Sequence, residues 1–591
     1  METTKLMTPW GEKLDPCNVL KEYPRPQMVR DSYENLNGTW DCSFTDQGDQ
    51  PGSWQPILVP FSPEAPLSGV GRMLMPGEFL WYRRMLPAMN AQGGRILLHF
   101  GAVDQQADVY VNGRKVAYHM GGYTPFSADI TDCLNDGENE LLVRVQDDTD
   151  ASWHSRGKQS MNRGNIWYTP QSGIWQTVWM ERVPQTYITG LHITPLFEQK
   201  SCQIIVHTNA LSDVSVSFEG KTYSAKSGEK IVVTPEQFNP WTPDTPHLYD
   251  FAASCGEDSV KSYFALRSVC VKEDAKGIKR LHLNGEPYFH VGMLDQGYWP
   301  DGLYTAPSDE ALIYDIQLAK DMGFNMLRKH IKIEPLRWYY HCDRLGMLVW
   351  QDTINGGRKD YNKIVIIAPL FTGLALKDSH YSWFRRQDAE GRAEYYTELE
   401  EMIRHLYNCP SIVMWVPFNE GWGQFDAAEA VRRIQALDAT RTIDHASGWH
   451  DQGVGDFKSL HVYFKPYKFS NDKKKRCEIL TEFGGYSFPV EGHLFNPEKT
   501  FGYKKITSLD ELAAAYKKLY EEEIIPAKEK GLSATVYTQV SDVEDEINGV
   551  MTYDRKVVKF KFDFMYDIHR KLRDEQDVEG EYGCIKPVFK G

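Results

Sequence analysis

Two glutamates, Glu420 and Glu482, have the sequence setting in which catalytic chemistry would be expected. Glu420 follows an apolar run in "SIVMWVPFNEGWG" (411–423), and Glu482 ends another in "EILTEFGG" (478–485). Both runs have the length and apolar content of strands buried on both faces. A carboxylate at the end of such a strand is either a solvated loop residue or a group at the mouth of a pocket.

Two carboxyl groups that face each other are the minimal apparatus for hydrolysing a glycosidic bond. One group must hold a proton at neutral pH to protonate the leaving oxygen, and the other must stay ionised to attack the anomeric carbon. Gly421, Gly484 and Gly485 let the backbone approach a ligand closely and leave room beside the carboxylates. The two carboxyl groups can face each other only if the C-terminal ends of both strands lie at the same end of one sheet or barrel.

A barrel of alternating strands and helices would meet that requirement. After Val269, eight apolar runs alternate with helical periods, at residues 288–294, 324–330, 347–352, 412–418, 441–447, 459–464, 478–483 and 534–539. Eight such units closing on themselves form a TIM barrel, whose active site lies at the C-terminal ends of the strands. We therefore predict a catalytic (β/α)8 domain over residues 269–591, with Glu420 and Glu482 at one opening.

The residues before the barrel read as β-structure. "ADVYVNGRKVAYHM" predicts a hairpin with Asn112-Gly113 at its turn, and residues 1–183 are predicted to form a jelly-roll β-sandwich. Residues 184–268 have the length and strand pattern of an immunoglobulin-like β-sandwich. The predicted fold class is therefore multidomain β plus α/β, comprising a jelly-roll sandwich, an immunoglobulin-like sandwich and a TIM barrel.

Composition limits the classes of binding partner and the cellular compartment that are expected for the protein. The 591-residue chain is 41% hydrophobic, and its net charge of −15 argues against nucleic acid or an anionic membrane as the main partner. The first residues lack a basic start followed by an apolar stretch, so no signal peptide is expected. The ten cysteines include no CxxC pair, which favours a reduced, cytoplasmic protein without a zinc site. No cofactor or metal ion is expected, since no metal-binding spacing such as HExxH is present.

The motifs around the glutamates resemble those of glycoside hydrolase family 2, the β-galactosidase and β-glucuronidase family. "NEGWG" and "TEFGG" resemble its acid/base and nucleophile motifs, and "FLWYRRML", "FGAVDQQADVYVNG", "NPWTPDTPHLYD" and "FNMLRKHIKIEPLRWYYHCDRLGMLVWQD" extend the likeness over nearly the whole chain. The resemblance implies a retaining mechanism with Glu420 as general acid/base and Glu482 as nucleophile. It also implies that Asn419 binds the sugar 2-hydroxyl. Family members are commonly oligomers, so a homo-oligomer is among the expectations.

The identity of the sugar must be inferred from the residues expected to line the pocket, because the fold alone does not determine it. Glucuronidases of this family carry an Asn-x-Lys motif after the nucleophile strand, whereas here Asn548 is followed by Gly549 and Val550. Asn471-Asp472-Lys473 has the spacing but precedes that strand. The "LRKHIK" stretch (327–332) offers three cations and a histidine that could recognise a sugar acid. Alternatively, Arg328 and His330 hold the glutamates in place and the lysines are solvated.

We predict a small-molecule glycoside or oligosaccharide substrate with a terminal β-linked sugar of galactose configuration, either a β-galactoside or a β-galacturonide. The alternatives are a β-glucuronidase without the usual motif and a non-catalytic carbohydrate-binding protein. The segment after the third barrel strand could shape the entrance, as in an endo-acting enzyme, or form a subunit contact. Arg156 and Lys158 could reach the pocket but are expected at the free surface. The predicted substrate-binding residues are Asn419, Asp295, Arg328, Lys329, His330, Trp350, Asp352, Tyr463 and Tyr537. His461 is expected to be a hydrogen-bonded residue at a strand end.

Overall fold

The first part of the chain is a sandwich of two antiparallel sheets. The computed structural model describes residues 5–46, 51–87, 89–359 and 361–573. The larger sheet contains, in spatial order, Gln55–Val59, Gly38–Asp46, Glu78–Leu86, Asn139–Gln146, Gln106–Val111 and Arg114–Met120. The smaller sheet contains Tyr33–Asn35, Val178–Val183, Arg95–Phe100 and Phe126–Asp129. A short pair, Val103–Asp104 with Gly173–Ile174, lies beside them. The predicted hairpin is confirmed, and its turn residues Asn112 and Gly113 have φ angles of 49° and 76°, as a tight type I′ turn requires.

A second antiparallel sandwich follows. One sheet consists of Ile188–Leu196, Ser201–Thr208 and Lys230–Val233. The other consists of Lys221–Lys226, Asp213–Phe218, Tyr249–Cys255 and Asp258–Phe264. A three-stranded sheet then leads into the barrel, made of Val269–Glu273, Lys279–Leu283 and Glu286–Pro287. Leu281 of this sheet packs in one apolar cluster with Met326 and Leu348 of the barrel interior, so the sheet closes the end of the barrel opposite the glutamates.

The barrel itself has eight parallel strands. They are β1 (His290–Asp295), β2 (Met326–Lys329), β3 (Leu348–Asp352), β4 (Ile412–Val416), β5 (Thr442–Ile443), β6 (Phe457–Val462), β7 (Cys477–Gly484) and β8 (Ala534–Thr538). Their order is β5-β4-β3-β2-β1-β8-β7-β6. Between β5 and β6, the Asp456 N–H donates to the Ile443 carbonyl (3.0 Å) and the Ile443 N–H to the Asp456 carboxylate (2.7 Å). These two bonds join the end strands of the sheet and complete the ring.

Helices surround the strands. They are α1 (Asp309–Asp321), α2 (Leu336–Leu345), α3 (Lys363–Thr372), α4 (Ala389–Leu406), α5 (Ala427–Leu437), α6 (Leu509–Leu519), α7 (Ile525–Lys530) and α8 (Phe562–His569). The Ser308 side chain caps α1 by accepting from the Ala311 N–H (3.2 Å), as the sequence predicts. α2 ends at Gly346, whose φ of 75° is accessible to glycine at little cost. Tyr486–Ser487 and Lys504–Lys505 form a further short pair after β7.

The predicted fold class is confirmed: two β-sandwiches precede a (β/α)8 barrel. The predicted boundaries, 1–183, 184–268 and 269–591, stay predictions, and residues 574–591 of the third predicted domain lie outside the described residues. The nine cysteines in the described ranges are free thiols. Across those ranges, no helix combines the length and the apolar character needed to cross a membrane.

Candidate active site

Glu420 lies four residues beyond the end of β4, at the C-terminal mouth of the barrel. Its N–H donates to the Ser447 carbonyl (3.0 Å), and Asn419 bridges in parallel to Ser447. The chain after β4 therefore continues alongside the chain after β5. Glu420 has a φ of 50°, a left-handed conformation that costs a non-glycine residue about 1–3 kcal/mol and that often occurs at functional sites. The side chain is buried.

Glu482 lies within β7 and is held from two sides. Its Oε1 accepts from Arg328 Nη1 (3.1 Å), and its Oε2 accepts from the Tyr463 hydroxyl (2.5 Å). The Tyr463 ring is fixed in turn by stacking on Tyr503, with 3.6 Å between ring centroids. Two donors and a stacked ring leave this buried carboxylate in one orientation.

His461, at the end of β6, connects the two glutamates. Its Nδ1 lies 2.8 Å from Glu420 Oε1 and 3.5 Å from Glu482 Oε2. One carboxylate oxygen of each glutamate and a ring nitrogen of His461 lie within 4.8 Å of one another. The structure thus brings Glu420 and Glu482, from separate strands, to a single place, and His461 is hydrogen-bonded as expected.

Arg328, in β2, binds several of the side chains around the two glutamates. Its guanidinium binds both oxygens of Asp352 (3.0 Å each) and donates to the side-chain oxygen of Asn419 (2.8 Å) as well as to Glu482. The side chain is fully buried. The other end of the Asn419 amide, Nδ2, is buried and has no hydrogen-bond partner among the described residues. Arg328 therefore orients Asn419 so that its amide N–H groups are left for a ligand.

The electrostatics keep Glu482 ionised. Burial raises the pKa of this carboxyl, but the opposing positive charges of His461 and Arg328, with a smaller contribution from Lys158, lower it to about 2. Burial, together with the positive charge of Lys158, lowers the pKa of His330 well below its ordinary value. A neutral His330 that donates through Nδ1 to Asp352 (2.8 Å) has a free acceptor at Nε2, which is buried and unpartnered.

The lysines of "LRKHIK" are not brought into this group. Lys329 alternates with Arg328 and His330 along β2, so it points toward the helices, where its ammonium lies 4.2 Å from the centre of the Trp338 ring. It pairs there with Asp295 (2.7 Å) and Glu334 (2.8 Å). Lys332 also pairs with Glu334 (2.9 Å). Both lysines are buried, so the expectation that they are solvated is wrong, and their charges are already neutralised by carboxylates.

Three other predicted contacts also lie apart from the glutamates. Asp295 is occupied by Lys329 and by the Gly297 N–H (2.9 Å). Trp350 lies one inward position before Asp352 on β3, fully buried, with its indole N–H donating to His290 (3.1 Å). Tyr537 packs against Tyr516 of α6, on the outer side of β8. Strand alternation accounts for the position of Tyr537, since its neighbour Thr538 is the residue that contacts Tyr463 (2.9 Å).

Several residues at the site were not predicted. Tyr503 stacks on Tyr463, and Trp422 lies near His330 with 6.5 Å between ring centroids. Trp422, inside the "NEGWG" motif, could have been chosen by its position two residues after Glu420. Lys158 and Arg156 are buried, which corrects the expectation of a free surface, and Lys158 lies over the Trp422 ring. No local sequence signal places a loop of one domain on another.

The segment after β3 contributes α3, and the Val365 carbonyl accepts from the His450 ring (2.7 Å) beside the mouth. Glu420, His461 and Glu482 also have the spacing of a metal site. Arg328 already provides positive charge 3.1 Å from Glu482, and a second cation beside it would be repelled. The donor set therefore fits a pair of carboxyl groups held for chemistry better than a metal site.

Two family models match the chain. A model of the sugar-binding domain of glycosyl hydrolases family 2 matches residues 76–184, and a model of the TIM barrel domain of the same family matches residues 305–558. A beta-galactosidase of Thermoanaerobacter pseudethanolicus is 26% identical over 449 residues, covering 70% of this chain and 55% of that protein. The chain spans about half the length of the curated relatives it matches.

Solved structures share the fold over nearly the whole chain. A beta-glucuronidase of an uncultured Clostridium species has a TM-score of 0.70 at 20% identity, covering 93% of this chain and 99% of that one. A GH2 beta-galacturonidase from Eisenbergiella tayi, bound to galacturonate, has a TM-score of 0.68 at 19% identity, covering 94% and 99%. The two family models together match more than half of the residues. The chain belongs to glycoside hydrolase family 2.

Proposed function

We propose that the chain is a retaining exo-β-glycosidase that removes a terminal β-linked sugar of galactose configuration, either a β-galactoside or a β-galacturonide. The observation that carries this proposal is the approach of Glu420 and Glu482, whose nearest oxygens lie within 4.8 Å of each other around His461. Carboxyl groups lie about 5–5.5 Å apart in retaining enzymes and about 6.5–9.5 Å apart in inverting ones. The short separation supports a direct attack by one carboxylate.

In the first step, the ionised Glu482 attacks the anomeric carbon and forms a glycosyl ester. The bond from that carbon to the leaving oxygen breaks, and the carboxyl proton of Glu420 moves to that oxygen. In the second step, Glu420 takes a proton from water as the water attacks the same carbon, and the ester bond to Glu482 breaks. The lowered pKa of Glu482 supports its assignment as nucleophile.

A chain of hydrogen bonds holds the His461 ring beside Glu420. The Thr481 hydroxyl donates to the Leu460 carbonyl (3.3 Å), and the Ser447 hydroxyl donates to Thr481 (2.9 Å). The Ser447 oxygen is therefore left to accept from His461 Nε2 (3.0 Å). His461 Nδ1 is thereby held 2.8 Å from Glu420 Oε1 and 3.5 Å from Glu482 Oε2, so the position of this ring orients both carboxyl groups.

The names of similar proteins bear on the sugar. They include a beta-galactosidase and a GH2 beta-galacturonidase, and also a beta-glucuronidase. A β-glucuronidase is the second candidate because of that last likeness, but the late loop lacks Asn-x-Lys. In its place the Asn548 amide donates to Glu546 (3.0 Å). A carbohydrate-binding protein without activity would not need both glutamates. The substrate is a small-molecule glycoside or oligosaccharide, and the cytoplasmic location stays a prediction.

Paired substitutions test the two roles. Glu482→Gln keeps an acceptor for Arg328 but loses the nucleophile, so kcat on a nitrophenyl β-glycoside should fall by at least about 10⁴-fold. In Glu420→Gln, kcat on the same substrate should fall by about 10²–10⁴-fold. The fall should be much smaller with a dinitrophenyl leaving group, which departs without a proton. Glu478→Gln is the matched control, because Glu478 lies at the other end of β7 and binds Tyr467 and Lys458. Undiminished activity of Glu482→Gln would refute the assignment.

A panel of nitrophenyl glycosides identifies the sugar. It compares β-galactoside, β-galacturonide, β-glucuronide, β-glucoside, β-mannoside and α-arabinopyranoside with one leaving group, so that differences in kcat/KM report the sugar alone. Preference for either galactose-configured substrate is the expected result. Preference for the β-glucuronide would establish the second candidate instead, and failure to cleave any of them would contradict the proposal.

A further inference from the structure

A loop of the first sandwich reaches the mouth of the barrel. The Arg156 and Gly157 N–H groups both donate to the Asn355 carbonyl after β3 (3.0 and 3.1 Å). Farther along, the Thr169 N–H donates to the Glu544 carboxylate (2.9 Å) after β8. The loop is thus attached to the barrel on both sides, and Lys158 lies between these attachments.

The Lys158 ammonium is withdrawn from bulk water without an anionic partner. The residue is only 6% exposed, and its Nζ lies 5.4 Å from the centre of the Trp422 ring and 5.7 Å from that of Tyr168. Among the described residues, no carboxylate lies within 4.0 Å of this Nζ and no hydrogen bond reaches it. The Trp422 indole N–H is also buried without a partner. Two neighbouring donors therefore lack acceptors, an arrangement that proteins rarely leave uncompensated.

The three cations of "LRKHIK" are already occupied. Arg328 binds Asp352 and Glu482, and Lys329 and Lys332 share Glu334. None of those three has a charge free for a ligand. Lys158 differs from them because it comes from another domain and faces the aromatic rings above the mouth.

The charge of Lys158 reaches the reacting groups. With His461 and Arg328, it opposes the effect of burial and lowers the pKa of Glu482. Burial raises the pKa of Glu546, and Lys158 opposes that rise. The Glu546 carboxylate is itself occupied by hydrogen bonds from the Tyr168 hydroxyl (2.5 Å) and the Asn548 amide. Lys158 therefore lies close enough to the site to act on a sugar bound there.

We propose that the Lys158 ammonium, with the Trp422 indole N–H, binds the C6 carboxylate of an acidic sugar, so that the preferred substrate is a β-galacturonide rather than a β-galactoside. This inference rests on the proposed glycosidase function and specifies its substrate class. An ammonium binds carboxylate by charge-assisted hydrogen bonds. The acid is recognised from the first sandwich, beside the loop after β8, where Asn548 is not followed by the lysine of the Asn-x-Lys motif.

Lys158→Met tests the proposal, since methionine has a similar length and no charge. On 4-nitrophenyl β-galacturonide, kcat/KM should fall about 100-fold more than on 4-nitrophenyl β-galactoside, mainly through KM. That factor corresponds to about 2.7 kcal/mol, within the range of a hydrogen bond to a charged group. Lys158→Arg should retain part of the preference. Lys499→Met, on the same rim but half-exposed, is the control and should leave the ratio between the two sugars unchanged.

The outcomes distinguish failure of the Lys158 assignment from failure of the proposed glycosidase function. An equal loss on both sugars would overturn the inference, because Lys158 would then act only on Glu482. A wild-type protein that cleaves the β-galactoside and not the β-galacturonide would also overturn it, with the proposed function intact. Cleavage of no β-glycoside would contradict the proposed function itself. Competitive inhibition of the wild type, which does not depend on folding of the variant, should be stronger by galacturonate than by galactose, and the reverse order would refute the assignment.

Discussion

Replacing Tyr463 with phenylalanine removes a hydroxyl that donates a hydrogen bond to the proposed nucleophile, Glu482, and leaves the other side chains of the site unchanged. The hydroxyl donates to Glu482 Oε2 at 2.5 Å, and the ring stacks on Tyr503 at 3.6 Å. Phenylalanine preserves the stacking and changes no volume apart from the oxygen. The change therefore removes the hydrogen bond to the ionised carboxylate, together with the contact to the Thr538 hydroxyl (2.9 Å), which carries no charge.

The magnitude follows from that bond. A hydrogen bond to a charged group contributes about 1.5–3 kcal/mol, and one pKa unit corresponds to about 1.4 kcal/mol. Because the bond favours the ionised form, its loss should raise the pKa of Glu482 by about 1–2 units. The pKa is lowered to about 2 in the wild type, so activity that requires ionised Glu482 should begin to fall at about pH 3–4 in Tyr463→Phe.

The assay is kcat/KM between pH 3 and 7, with each sample returned to pH 7 afterwards to exclude irreversible unfolding. Tyr537→Phe is the matched control: it is the same substitution at a buried tyrosine whose hydroxyl has no partner among the described residues and which packs against α6. In Tyr537→Phe, the pH at which kcat/KM falls on the acidic side should equal that of the wild type. An acid limb of Tyr463→Phe that coincides with the wild type would refute the view that this hydroxyl stabilises the charge of Glu482.

Two further predictions concern stability. Arg441→Met should lower the free energy of unfolding by about 3–5 kcal/mol, because it removes the cationic partner of the buried Asp438 (2.7 Å) and a donor to three carbonyl oxygens. Urea denaturation should show a loss of less than about 0.5 kcal/mol for the control Arg432→Met, whose exposed side chain pairs with Glu429. Equal losses in the two variants would contradict this prediction. Despite burial, hydrogen bonds from His341 and Arg337 lower the pKa of Asp309 to about 2, so its ionised form stabilises the fold above about pH 4 and that contribution is lost as pH falls toward 2. Asp309→Asn should accordingly be less stable than the wild type at pH 7 and equally stable near pH 2, and a constant difference across pH would exclude this linkage.

The barrel could be predicted because its strands are apolar on both faces. The run Ile412–Val416 is buried throughout, and so is Leu348–Asp352, so length and composition alone identified them as strands. The turn at Asn112-Gly113 and the cap at Ser308 were likewise predictable from local chemistry. Helix and strand boundaries depend on neighbours that the local sequence does not contain.

The site was predictable only in part. The sequence brought forward Glu420 and Glu482 because each follows or ends a buried apolar run. It left open whether the cations of "LRKHIK" together recognise a sugar acid or whether Arg328 and His330 hold the glutamates while the lysines are solvated. Alternation along β2 separates Arg328, which faces the glutamates, from Lys329, which faces Trp338 of α2. The position of Lys158 depends on contacts between loops of different domains, for which no spacing rule exists.

The attachment of the 156–169 loop to the barrel has a consequence for how new enzymes of this architecture arise. In the proposed mechanism, bond cleavage depends on Glu420 after β4 and Glu482 in β7, whereas Lys158, the cation proposed to bind the acidic sugar, is encoded several hundred positions earlier. Insertions, deletions or recombination in the early stretch can therefore alter which glycoside is accepted without disturbing the geometry that breaks it.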